Sequence, residues 1–164
     1  MAGYGRKSED CVHRDGSRAT KACLQYPASL AVDSSVNLFI GEIVGYVGKL
    51  DVGNGLISTV VGGGHSGKTV EGSSALSADF WSIDGLAIGD EGNLCTADAH
   101  QGKSFKVDGA SGLVTRVAGT GEQGFGGDGE SARNASFRFA NAMSVDKAGN
   151  LIDCRLRQLP YTEA

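Results

Sequence analysis

The sequence predicts an all-β chain made of repeated four-stranded antiparallel sheets. Three observations carry this expectation. Stretches of the chain resemble one another at intervals of 56 and 57 residues, each stretch alternates short β-prone runs with turn residues, and 26 glycines stand against 2 prolines in 164 residues. Glycine in that excess, without a collagen period, supplies tight turns, and many turns in a short chain mean many short strands. An internal period of this length is the signature of a repeat architecture.

The repeat is anchored by Asn37, Asn93 and Asn150 in the aligned segments 29–40, 85–96 and 142–153. The same interval separates Lys49 from Lys106 and Gly55 from Gly112. The acid–glycine pairs Asp15-Gly16, Glu71-Gly72 and Asp128-Gly129 keep it, followed in register by Ala19, Ala75 and Ala132. One residue is missing from the first unit between Asn37 and Lys49, which reads as a shortened turn.

In that first unit, Leu30-Ala31-Val32 is a strand, Asn37 a turn residue and Leu38-Phe39-Ile40 the returning strand, which is hairpin logic. A weaker third strand runs from Tyr46 to Leu50. Gly53-Asn54-Gly55 then turns the chain into a fourth, Leu56 to Val61. Four-stranded sheets in series are the blades of a β-propeller. Residues 29–61 and 85–118 make two blades and 142–153 part of a third, with inter-blade loops at 62–84 and 119–141. Residues 1–28 read as a partial repeat with an inter-blade loop, and 154–164 as a divergent tail. The expected core is Leu30, Val32, Phe39, Ile57, Leu86, Ile88, Leu94, Val107, Val114, Val117, Met143, Val145 and Leu151. A propeller closes with roughly 4–8 blades. Two and a half units therefore read as a fragment of a longer propeller, or as a chain that self-associates through open blade edges.

The Gly-Asn-Leu turns with their flanking apolar strands resemble the NHL repeat. So does the connection from Val117 to Ala132, Val-Ala-Gly-Thr-Gly-Glu-Gln-Gly-Phe-Gly-Gly-Asp-Gly-Glu-Ser-Ala. It is similar to the NHL subfamily whose blades are joined by V-A-G-T-G…G-D-G loops. The resemblance covers residues 1–153 and implies a propeller, often six-bladed, that binds other macromolecules. The family's second-strand Ile-Ala-Asp is Ile40-Gly41-Glu42 in unit one and Thr96-Ala97-Asp98 in unit two. The turn that follows in unit two is His100-Gln101-Gly102-Lys103. Glu42, Asp98 and His100 are the candidate residues on a propeller face, where the family's Gly-Asn-His/Asn-Arg turn is absent as such. Related six-bladed folds carry lactonases and lyases, for which Glu42 and Asp98 are the acids to test.

The net charge of −4 gives no long-range field for nucleic acid, which is not an expected partner. Arg133, Arg138, Arg155 and Arg157 are scattered and read as solvated surface. No stretch reaches 18 apolar residues, so no membrane span is expected. The sequence assigns no compartment. Cys11, Cys23, Cys95 and Cys154 lack C-x-x-C spacing and read as small buried or half-buried thiols, with disulfides only in an extracellular setting.

Residues 62–69 match the P-loop pattern G-x-x-x-x-G-K-[ST] and follow an apolar strand. In that reading Gly62 and Gly67 frame a phosphate cradle, Lys68 reaches the phosphates and Thr69 holds magnesium. A P-loop also requires a helix beginning at the lysine, and Val70-Glu71-Gly72-Ser73-Ser74 is poor helix material. Residues 119–124 match G-x-G-x-x-G but are followed by Phe125-Gly126-Gly127, where a dinucleotide fold needs a helix. His13, His65 and His100 have no second ligand at metal spacing. Asn134-Ala135-Ser136 is a glycosylation acceptor pattern that matters only in a secreted chain. No cofactor is expected. The sequence thus points to a non-catalytic protein-binding scaffold, with a nucleotide-binding P-loop protein or the remnant of a propeller enzyme as alternatives.

Overall fold

The computed structural model describes residues 15–64, 69–138 and 140–155. Over them the chain is all-β, in three antiparallel sheets that do not close into a ring. The first sheet holds β1 (Ser17–Arg18), β2 (Pro27–Val32), β3 (Leu38–Glu42), β4 (Tyr46–Leu50) and β5 (Leu56–Val61), in the order β1-β5-β4-β3-β2. The second holds β6 (Gly85–Ile88), β7 (Leu94–Asp98), β8 (Lys103–Val107) and β9 (Val114–Ala118), in sequential order. The third pairs β10 (Ala140–Val145) with β11 (Leu151–Arg155). β6 lies against both β2 and β10, so the inner strands of successive sheets stand side by side. This is a propeller segment of two full blades and part of a third.

Each blade starts with the same hairpin. Val32 faces Leu38, Ile88 faces Leu94 and Val145 faces Leu151. The repeated asparagine builds the turn. Asn37 donates from its backbone N–H to Asp33 Oδ1 at 2.8 Å and from Nδ2 to Asp33 Oδ2 at 2.9 Å. Asn150 makes the same two bonds to Asp146, both at 2.8 Å. A short side chain that satisfies turn amides is what asparagine and aspartate supply here. Its Oδ1 also reaches the next turn, accepting from Val52 N–H in blade 1 (3.1 Å) and, as Asn93, from Gly109 N–H in blade 2 (3.0 Å).

The main core fills the space between blades 1 and 2. Phe39, Val47 and Val61 come from the first sheet, and Leu86, Leu94, Phe105, Val107 and Val114 from the second. Ala75, Ala78, Phe80 and Ile83 enter from the loop between them, and the Phe80 ring meets Phe105 edge-on at 5.3 Å. A smaller core of Ala97, Ala135, Phe137 and Ala140 joins blades 2 and 3. Two expected core residues are misplaced. Leu30 and Val32 are 64% and 53% exposed, because the alternation of β2 turns them away from blade 2 and Ala31 packs there instead. Ile88, Val117, Met143, Val145 and Leu151 are half-buried.

The inter-blade loop is more ordered than a glycine-rich connection suggests. Its acid–glycine segment pairs with the outer edge of the next blade, as a short fifth strand in blade 1 and as a single bridge in blade 2. Ser17 and Arg18 pair with Ile57 and Leu56, and Ser74 bridges Leu113 one repeat later. Gly16 N–H donates to Ile57 O at 2.9 Å, and Gly72 N–H to Val114 O at 2.7 Å. Ala19 and Ala75 each begin a three-residue 3₁₀ turn, Ala19–Lys21 and Ala75–Ser77, and a third, Ala132–Asn134, keeps the period. An edge strand with unpaired N–H and C=O groups is covered in this way. The expected boundaries shift accordingly: blade 1 takes in residues 17–18 and begins its inner strand at Pro27, and β10–β11 runs over 140–155, two residues into the expected tail. Cys23 is disulfide-bonded, which corrects its reading as a thiol, whereas Cys95 is a buried free thiol whose pKa burial pushes up.

Candidate functional site

Glu42 and Asp98 end the second strands of blades 1 and 2, and the structure buries both completely. They are equivalent by repeat, and they do equivalent work. The Glu42 carboxylate accepts the Gln25 N–H, and Asp98 Oδ2 accepts the Trp81 N–H at 2.8 Å. Each acid therefore latches the end of an inter-blade loop to the blade that loop is about to enter. Gln101 donates to Asp98 from the backbone at 2.9 Å and from Nε2 at 2.7 Å. Loss of solvent raises the Asp98 pKa above the usual aspartate value of 3.8, against the lowering effect of the N–H donors of Gln101, Trp81 and Ser82. Their expected place on an open face is corrected. A carboxylate at this strand end is taken up by backbone amides that would otherwise be buried without acceptors.

The exposed features lie just outside the Asp98 latch. The turn from β7 to β8 is Ala99-His100-Gln101-Gly102, one residue longer than Ile43-Val44-Gly45 in blade 1. This is where the residue missing from the first unit falls. His100 is exposed, as expected, and its ring stacks on Trp81 with centroids 6.2 Å apart and planes 17° apart. Trp81 is 62% exposed. Beneath the pair, His100 Nδ1 lies 3.1 Å from Oγ of buried Ser82, and Ser82 donates to Asp84 Oδ2. That same oxygen accepts the Ala99 N–H at 3.1 Å. With its proton committed to the carboxylate, Ser82 Oγ accepts from Nδ1–H. The proton of neutral His100 then sits on Nδ1, and Nε2 is an acceptor. Gln123, from the following loop, holds the turn by donating to Ala99 O at 3.2 Å and His100 O at 3.4 Å.

Blade 1 has Gln25-Tyr26-Pro27-Ala28 where blade 2 has Trp81-Ser82-Ile83-Asp84, so the cluster is not demanded by the repeat. Sequence reasoning singled out His100 and missed Trp81, Ser82 and Asp84. The signal was present: the chain's one tryptophan stands at the register position that Gln25, an unlike residue, holds in the sister unit.

The P-loop match divides. Gly67 and Lys68 lie outside the described residues, as do His13 and His65. Gly62 has φ +97°, and a Cβ there would sit 2.5 Å from Gly45 O; Gly119, its repeat equivalent, has φ +84° and would sit 2.2 Å from Gly102 O. The first glycine of the match is thus required by blade packing. The Gly62 N–H donates to Ala75 O at 2.9 Å, and the Thr69 hydroxyl to Asp79 O at 2.7 Å. Beyond Thr69 the described chain passes through a turn to the 3₁₀ turn at Ala75–Ser77. No described helix is long and apolar enough to cross a membrane.

No family model and no curated protein matches the chain. Among solved structures it is similar to a structural genomics protein of unknown function from Bacteroides thetaiotaomicron, with a TM-score of 0.60 and 21% identity. The match covers 73% of this chain and 30% of that one. At that identity the likeness shows the fold alone.

Proposed function

We propose that this chain is part of an NHL-type propeller and serves as a non-catalytic protein-binding scaffold. One observation carries the reading. In blade 2 the buried acid latches the loop as its counterpart does in blade 1, while the exposed side chains around it, Trp81 and His100, depart from the repeat. A rigid sheet framework with divergent exposed loops is the usual arrangement of a binding face. The V-A-G-T-G…G-D-G connection supports the NHL assignment, since its first two glycines, Gly119 and Gly121, sit where loop and blade touch. The exposed face of blade 1, with Leu30 and Val32, and the 30% coverage of the solved relative support a place in a longer propeller. The acids of the lactonase or lyase alternative are occupied by backbone amides.

Photo-crosslinking tests the proposal. A photoreactive residue replacing exposed Glu122, next to the Gln123 that holds the His100 turn, is expected to capture a protein partner saturably, and the same residue at Ser58 in β5 of blade 1 is not. Equal capture from both positions would count against a defined binding face.

A further inference from the structure

The Trp81–His100 pair has a chemistry that narrows its partner. Stacking leaves much of the indole exposed, and Trp is the strongest aromatic acceptor of a cation on its face. The Asp84–Ser82–His100 chain of hydrogen bonds presents Nε2 as an acceptor, so the ligand brings a donor. Asp84 lies in the cluster beneath the pair, and the chain carries a net charge of −4, which favours a positive ligand over a negative one. One side chain joins a planar cation to in-plane N–H donors. The guanidinium of arginine stacks on an aromatic face and still donates from its edge, whereas the lysine ammonium is a compact, strongly hydrated point charge.

We propose that the Trp81–His100 pair takes an arginine side chain of a partner protein, the guanidinium lying on the indole and donating an N–H to His100 Nε2. The inference rests on the scaffold reading and names the chemistry of its partner. Ser82 and Asp84 are positioning residues: they fix the tautomer without touching the ligand. Gln123 steadies the backbone of the turn.

Trp81 is the chain's only tryptophan, so indole fluorescence reports on the site directly. The full chain is titrated with three acetylated tripeptide amides, Gly-Arg-Gly, Gly-Lys-Gly and Gly-Glu-Gly. The arginine peptide is expected to shift Trp81 emission saturably, with half-saturation roughly fivefold below that of the lysine peptide, and the glutamate peptide to give no response. His100→Ala is expected to raise the arginine half-saturation roughly tenfold, the loss of one good hydrogen bond. Ser82→Ala is expected to weaken binding less, and imidazole ¹⁵N shifts should show Nδ1–H protonation lost in that variant. Circular dichroism of each variant checks that the blades remain. Equal responses to all three peptides, no response to any, or unchanged arginine binding in His100→Ala would overturn the inference. The scaffold reading would then still stand or fall by the crosslinking comparison, which does not depend on arginine.

Discussion

Blades 1 and 2 use the same latch and surround it differently. Glu42 and Asp98 occupy one register position, are equally buried and accept the N–H groups of Gln25 and Trp81, which are themselves equivalent. Outside that bond the two blades part. Blade 1 turns in three residues, with Tyr26 and Val44 nearby. Blade 2 turns in four and gathers Trp81, Ser82, Asp84 and His100 into one hydrogen-bonded, stacked group. A repeated buried contact reports on the fold, and a repeat broken at an exposed position reports on what the fold is used for.

The comparison breaks most visibly at Asp98. Asp98→Ala leaves the Trp81 and Gln101 amides without their acceptor, each at about 1–3 kcal/mol. The melting midpoint followed by circular dichroism should fall by something on the order of 10 °C. Glu42→Ala removes the corresponding acceptor in blade 1 and should also lower the midpoint; an unchanged midpoint would mean that the bond to Gln25 contributes little.

The pH dependence of the latch has a definite sign. Because the folded pKa of Asp98 is raised above 3.8, the protonation-linked part of its contribution to stability is fully present below that value and is lost as pH rises through the folded pKa, while the N–H bonds it accepts remain. Asp33 and Asp146 behave oppositely. The Asn37 and Asn150 side chains and turn amides hold their pKa values below 3.8, so their contribution is present above that value and lost as pH falls through the folded one. Asp98→Asn is therefore expected to remove the component of a stability–pH profile that weakens towards neutral pH and to leave the acid-side loss intact. A profile unchanged by that substitution would contradict the burial of Asp98.

A smaller effect is expected on the open face of blade 1. Leu30→Lys adds charge to an exposed apolar patch and should suppress concentration-dependent self-association in sedimentation experiments, with little change in melting. The smallest is expected at the surface pair linking successive loops, where Arg133 clamps Glu71 with contacts of 3.0 and 2.7 Å. Both side chains are more than two-fifths exposed, and Arg133→Ala should shift melting by little more than the error of the measurement, less still at high salt.

Much of the fold was legible because the repeat states it several times. The Gly85–Ala118 span of blade 2 and the strands Tyr46–Leu50 and Leu56–Val61 follow directly from the period and its turn residues. What escaped has a common cause. Ser17–Arg18 pairs at a blade edge through backbone atoms alone, and no apolar pattern marks it. Leu30 and Val32 alternate like core residues, but alternation does not say which face a neighbouring sheet covers. Glu42 and Asp98 were visible as a pair, but the backbone amides that take up their carboxylates were not. Trp81 sits in a stretch read as loop, and only the packing places it against His100.

The most direct test sets two substitutions in the same blade side by side. Thermal unfolding of His100→Ala and Asp98→Ala should separate them clearly: His100→Ala melts close to the unchanged chain, and Asp98→Ala melts far below it. If His100→Ala lowered the midpoint as much as Asp98→Ala, the exposed turn would be part of what holds the blade together, and the separation between latch and proposed binding face would be wrong.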